Sequence, residues 1–281
     1  MTDGTTTNSA CRRILLTGAA GIVGSAIRPE LAKLHEHVLL TDLKPIDNLA
    51  ANESFKAGNL GDLSFIESLV TRVDGIVHLG GLVGADCAFD EILEPNIVGV
   101  HNVFEAARHA GIKQVVYASS AHCVGFIRRG EHIDHQTLPR PNCEYAVSKA
   151  FGESTGSYYA DKFGMNILSI RIGYVGEDLT KERRLRTWVS PRDLAQLCEI
   201  GLSQDLGFEI VYGTSDNPEP FFDNANAFRL GYRPQDRAID HLTDKSVLDE
   251  KPDPDSIEGG VVGGGFAAAG FAGDPERIVG R

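Results

Sequence analysis

Arg13-Ile14-Leu15-Leu16-Thr17-Gly18-Ala19-Ala20-Gly21-Ile22-Val23-Gly24 reads as a short apolar strand running into a glycine turn, with helix-compatible sequence continuing to Leu34. Strand, glycine turn and helix is the order a pyrophosphate site needs, because small residues let the backbone approach the anion and the helix N-terminus faces it. The plainer alternative is an ordinary tight turn. The next apolar run, His37 to Thr41, argues against that, because it ends on Asp42, 18 residues beyond Gly24. A carboxylate at that place suits a hydrogen bond to a ribose 2′-hydroxyl and repels a 2′-phosphate, so NAD is expected over NADP. Lys44 is the one nearby basic residue able to soften the preference, unless it is simply a solvated loop charge.

Working outward, strand and helix signals alternate. A strand is expected near Phe55-Lys56-Ala57, a helix from Leu63 to Thr71, a strand over Gly75 to Leu79, and a helix from about Pro95 to Ala110 with Gly111 as its stop. A strand over Gln114 to Ser119, a helix bearing Tyr145 and a strand over Asn166 to Arg171 continue the series. Further on come a helix from Pro191 to Leu202, a strand at Glu209 to Tyr212 and a short cap from Phe221 to Phe228. Such alternation specifies an α/β fold, a doubly wound parallel sheet of Rossmann type. The expected layout is a disordered leader over 1–11, one domain of this type over 12–250 with its ligand side mainly in 174–250, and a Gly-rich tail over 251–281.

Tyr145-Ala146-Val147-Ser148-Lys149 sets a tyrosine and a lysine on one helix face, where an ammonium is expected to lower the phenol's pKa and make it a general base. Alone, Y-x-x-x-K is as readily an exposed amphipathic pair. Ser119-Ser120, at the end of a strand 25 residues upstream of Tyr145, supplies a hydroxyl for the reacting oxygen and turns the pair into a set.

With these residues in view, the chain resembles an extended short-chain dehydrogenase/reductase. The motifs are Gly18-x-x-Gly21-x-x-Gly24, Asp42, His78-Leu79-Gly80-Gly81, Asn96, Ser119-Ser120 and Tyr145-x-x-x-Lys149, covering residues 12 to 175. The resemblance implies catalytic roles for Tyr145, Lys149 and Ser120. It also implies NAD contacts from Gly18, Gly21, Ile22, Val23, Gly24, Asp42, Leu43, Asn59, Leu60, Leu79, Gly80, Gly81, Ser119, Tyr145 and Lys149. More of the chain is similar to one branch, the uronate dehydrogenases. That similarity rests on Ile27 to Leu31, Ala118-Ser119-Ser120-Ala121-His122, Tyr145 to Glu153, Ile170-Arg171-Ile172-Gly173, Thr187-Trp188, Val211-Tyr212-Gly213 and the tail around Phe266. It implies a sugar pocket built from Val83, Ser120, Ala121, His122, Tyr145, Tyr174 and Arg183. Three of these depart from the branch: Ala121 replaces its usual asparagine, Val83 its usual serine, and Tyr174 a small polar residue.

Composition narrows the function. The 281 residues are 42% hydrophobic, ample for a core, and the formal net charge of −12 argues against nucleic acid or anionic membrane surfaces as partners. Cys11, Cys87, Cys123, Cys143 and Cys198 form no C-x-x-C pair, so reduced cytoplasmic thiols are the simpler account, and Cys123 and Cys143 read as small hydrophobes. The polar first ten residues lack the apolar core of a secretory signal, and no membrane-spanning run is present. The histidines lack ligand spacing, so no metal is expected. Arg183, Arg184 and Arg186 are concentrated in an acidic chain; at least one is a solvated charge, while Arg183 is the one expected to fork onto a carboxylate. Gly259 to Gly273 is either a flexible tail or, since it has two phenylalanines and almost no charge, a segment docked on the body or a neighbouring subunit.

The expectation is NAD-dependent oxidation of the anomeric hydroxyl of a hexuronate, giving an aldonolactone and NADH, by a homo-oligomer. The alternatives are another aldose or anionic-sugar dehydrogenase (phosphate or sulfonate), a nucleotide-sugar epimerase or dehydratase, and a non-catalytic NAD-binding regulator.

Overall fold

A computed structural model describes residues 11–280. The expected leader lies outside them except for Cys11, which is buried and whose thiol donates to the Leu202 carbonyl. Seven strands form one sheet: β1 (Arg13–Thr17), β2 (His37–Asp42), β3 (Glu53–Ala57), β4 (Gly75–His78), β5 (Gln114–Ser120), β6 (Asn166–Ile172) and β7 (Phe208–Gly213). Their order is β3-β2-β1-β4-β5-β6-β7, and every neighbouring pair is parallel. The strands are nearly continuous apolar runs because helices cover both faces. Ile14, Leu16, Leu40, Val116 and Leu168 face Ile27 and Leu31 of α1 (Ile22–Leu34) together with Leu194 and Leu197 from beyond β6. Leu15, Leu39, Ile76, Val115 and Ile167 face the opposite layer, which holds Ile66 and Leu69 of α2 (Leu63–Val70) with Val103, Phe104 and Tyr159.

The helix expected from Pro95 starts earlier and is not regular. α3 (Phe89–Ile92) runs into a π-helical turn at Leu93–Val98, and only then into α4 (Gly99–Ala110). Pro95 has no N–H for an α-type ladder, and the wider turn absorbs the gap. Gly111 ends α4 in the left-handed conformation at φ 73°, where a glycine carries no Cβ penalty. α5 (Glu144–Phe163) carries Tyr145 and Lys149. α6 (Glu182–Thr187), unmarked in the sequence by any periodicity, precedes α7 (Pro191–Ser203), and the cap near Phe221 is helical only in α8 (Ala225–Arg229).

The Gly-rich segment lies along residues 125–129. Arg129 N–H donates to the Gly260 carbonyl, Val262 N–H to Ile127 and Gly263 N–H to Gly125, each at 2.9 Å. Val261 and Val262 are buried, and Ile257, Val261, Ala267 and Val279 form a small core with Phe126 and Phe271. Among the described residues no helix is long and apolar enough to cross a membrane, and no cluster of metal-ligating side chains occurs.

Candidate active site

A cavity of about 1210 Å³ opens along the C-terminal ends of β1, β2, β4, β5 and β6, where chain order reverses between β1 and β4. At one end, Gly18 turns at φ 69°, and a Cβ on it would stand 2.7 Å from the Gly80 nitrogen; a Cβ on Gly24 would stand 2.2 Å from the Gly18 carbonyl. Bare backbone is therefore the only covering that fits. Gly21 precedes α1 without a side-chain cap, so the first N–H groups of a 13-residue helix remain directed at the cavity. The Asp42 carboxylate is fixed at the end of β2 by the Ala20 N–H at 3.0 Å and the Lys44 N–H at 3.1 Å. Lone pairs on both oxygens are left for a diol. Ile22, Val23, Leu43, Asn59, Leu60, Leu79 and Gly81 line the same end. A close-approach turn, an uncapped helix and a fixed carboxylate fit an adenine dinucleotide carrying a free 2′-hydroxyl.

Midway along the cavity, Tyr145 and Lys149 occupy successive turns of α5, both buried. The Lys149 ammonium lies 5.7 Å from the Tyr145 ring centroid and 5.2 Å from that of Tyr117. Burial pulls its pKa down to about 8. The phenol does not follow the expected direction. Burial holds the Tyr145 hydroxyl above its ordinary pKa, and the Ser120 hydroxyl hydrogen-bonded to it only partly offsets this. The spacing brings lysine and tyrosine together, but burial of the phenol sets the direction of its shift.

Two supports stand behind these groups, both at motif positions to which the sequence alone assigns no role. Asn96, in the π-helical turn, accepts from Leu82 N–H at 2.7 Å and donates to the Leu82 carbonyl and to Ser148 Oγ at 2.9 Å, tying the loop after β4 to α5. Glu153, two turns beyond Tyr145 on the same face, accepts from Ser119 Oγ at 2.6 Å and from Arg171 Nε and Nη2 at 2.8 and 2.9 Å. Arg171 also donates to the Tyr212 hydroxyl at 3.0 Å. The available signal was a glutamate eight residues after Tyr145, completing one stripe with Lys149. His78, Tyr117 and Ser169 stand level on β4, β5 and β6, and each has a buried polar atom without a partner, although His78 Nδ1 meets Thr17 Oγ1 at 2.7 Å.

At the far end Arg183 is half-buried. Its Nε donates to the Val262 carbonyl at 2.6 Å, and no carboxylate among the described residues pairs with it; burial, then Arg129 and Arg184, bring its pKa down to about 10. Arg184 is paired with Asp178, and Arg186 with Glu182 and Glu219. His122 stacks on Phe266 with centroids 4.3 Å apart and planes at 15°; burial, with Arg183 nearby, lowers its pKa to about 3, so it is neutral. Tyr174 bridges to Trp188 and lies under the Arg184 guanidinium, 4.7 Å from its ring, and Val83 stands exposed at the mouth. Ala121 is the exception among the expected pocket residues. It opens a 3₁₀ turn, and its methyl points away from the cavity into a cluster with Val124, Ile127 and Phe222.

Residues 14–201 match the model of the NAD dependent epimerase/dehydratase family. The chain is 41% identical to the uronate dehydrogenase of Pseudomonas putida over 94% of its own length and 98% of that protein. The solved structure of a glucuronic acid dehydrogenase from Chromohalobacter salexigens superposes with a TM-score of 0.86 at 38% identity, covering 95% of this chain and 99% of that one. A uronate dehydrogenase from Agrobacterium tumefaciens, solved with NAD, gives 0.84 at 35% identity, covering 92% and 97%.

Proposed function

The chain belongs to the NAD dependent epimerase/dehydratase family, and from that premise we propose that it is an NAD-dependent oxidoreductase acting on the anomeric CH–OH of a hexuronate, with an aldonolactone and NADH as products. The observation that carries the substrate class is Arg183, a half-buried guanidinium with an unpaired edge in the same cavity as Tyr145, Lys149 and Ser120. A planar fork in a partly dehydrated wall suits a carboxylate.

Bound NAD supplies the hydride acceptor. Tyr145 takes the proton of the anomeric hydroxyl as its C–H bond is broken, so the carbon–oxygen double bond of the lactone forms without a free oxyanion. Ser120 donates to that oxygen and fixes its distance from the phenol. The Lys149 ammonium stabilises the phenolate form that must arise, a role strengthened by its dry surroundings. Gly18, Gly21, Gly24 and Asp42 hold the nucleotide by backbone approach and by the ribose. His122, neutral, flat against Phe266 and engaged by the Asn142 amide at Nδ1, keeps its other ring nitrogen for the sugar. Ala121 is left out of the pocket.

Residues 12–250 act as one unit, and the tail completes its sugar side. The assembly is a homo-oligomer, supported by the exposed stripe Val147, Phe151 and Tyr158 on a single face of α5. The cytoplasm is the compartment that suits its five free thiols.

Purified protein with NAD and a panel of uronates, neutral aldoses, sugar phosphates and sugar sulfonates, followed by NADH absorbance, tests this reading. Galacturonate or glucuronate is expected to turn over best. Arg183→Ala is expected to cost about 2 to 4 kcal/mol on a uronate and much less on galactose. Equal loss on both sugars removes the uronate assignment.

A further inference from the structure

The segment that closes the far wall of the cavity also governs the residue that recognises charge there. The Val262 carbonyl accepts from Arg183 Nε at 2.6 Å, which occupies one edge of the guanidinium and leaves the Nη edge for the cavity. That carbonyl does not drift: Val262 is buried, and its own N–H and that of Gly263 are bonded to Ile127 and Gly125. Gly264 follows at φ 58°, a backbone state that L side chains rarely adopt. A Cβ on it would stand 2.5 Å from Arg183 Cδ and 3.1 Å from Nε. Any side chain at 264 must therefore push the arginine stem off its seat.

We propose that the Val262 carbonyl and the bare backbone of Gly264 are positioning elements for Arg183, so that preference for an anionic sugar is set by the tail as much as by the arginine. A guanidinium free to swing would still attract anions, but it would present no fixed fork, and bidentate geometry is what separates a carboxylate from a hydroxymethyl group of similar size. The proposal rests on the uronate reading above and adds to it the device that makes the reading selective.

The test compares kcat/KM for galacturonate and galactose in wild type, Gly264→Ala, Arg183→Lys and Arg183→Ala, with NAD affinity measured for each as a check on the fold. Gly264→Ala is expected to lower kcat/KM for galacturonate by about 10- to 100-fold, the span for loosening one partner of a buried charge contact. NAD affinity should stay within about twofold, since the nucleotide end of the cavity is remote from residue 264, and the loss on galactose should be much smaller than the loss on galacturonate. Arg183→Lys keeps the charge but has one nitrogen, which cannot hold the Val262 carbonyl and also present a fork; it should lose nearly as much on galacturonate as Arg183→Ala. If Gly264→Ala binds no NAD because the strained backbone fails to fold, Arg183→Lys decides. A folded Gly264→Ala with wild-type selectivity, or a lysine variant that keeps it, overturns the positioning role while leaving the uronate reading intact. A wild type indifferent to the carboxylate overturns both, and that is seen before any variant is made.

Discussion

Glu153→Gln should unfold the protein at a markedly lower temperature while changing no atom that touches substrate. Glu153 receives two bonds from Arg171 and one from Ser119, all at 2.6 to 2.9 Å, and both charged side chains are almost wholly buried. Glutamine preserves the shape but removes the charge, and its amide must turn donors toward Arg171 or surrender the Ser119 bond. A guanidinium then remains buried without its counter-ion, a loss of about 3 to 5 kcal/mol when one partner of a buried pair is removed. At about 2 °C per kcal/mol for a chain of this size, Tm should fall by roughly 6 to 10 °C. Thermal unfolding followed by circular dichroism, with the double variant Glu153→Leu/Arg171→Met alongside, is the measurement. The double variant should recover most of the loss, because two apolar residues in place of a buried pair are often neutral or better. A single variant within about 1 kcal/mol of wild type, or a double variant no better than the single, would refute the view that the cost is an uncompensated charge.

Tyr145→Phe should leave NAD affinity nearly intact and reduce turnover by roughly a hundredfold or more, measured as NADH formation at saturating substrate; a variant with half the wild-type rate removes the general-base role. Asp42→Ala should relax discrimination against NADP in the ratio of kcat/KM for the two cofactors, and an unchanged ratio would mean the carboxylate does not meet the ribose. Lys149, lowered to about 8 from an ordinary 10.5, is destabilising while charged, so its contribution to stability should improve as pH rises from about 8 toward 10.5. Urea unfolding of wild type and Lys149→Met should therefore show a gap that shifts in favour of wild type by about 3 kcal/mol between pH 7 and pH 11, and a gap independent of pH would contradict the burial argument.

What the sequence made legible was the local chemistry. The Gly18 turn, the acid closing β2 and the Tyr145–Lys149 face each follow from a spacing within one or two elements. Pro95 reads in the sequence as the start of a regular helix, and only the wider turn at Leu93–Val98 shows how Asn96 comes to face both Leu82 and Ser148. Glu153 and Arg171 lie on different elements, and nothing in either segment announces that they meet. The Tyr145 pKa went astray for a related reason: the effect of the ammonium can be read from helix spacing, whereas desolvation is set by everything packed above it. Ala121 shows the limit of position matching, since a residue between two pocket residues turned inward with the start of the 3₁₀ turn.

The cavity draws on distant stretches of one chain. Its nucleotide end draws on residues 18 to 81, and its central groups on the chain through α5 and β6, but Val262, Gly264 and Phe266 lie much further along. Val262 clasps Arg183 and Phe266 backs His122, so the short stretch 262–266 bears on the sugar end and leaves the Gly18 turn and Asp42 untouched. A change confined to that stretch would therefore alter sugar preference while leaving cofactor preference as it is.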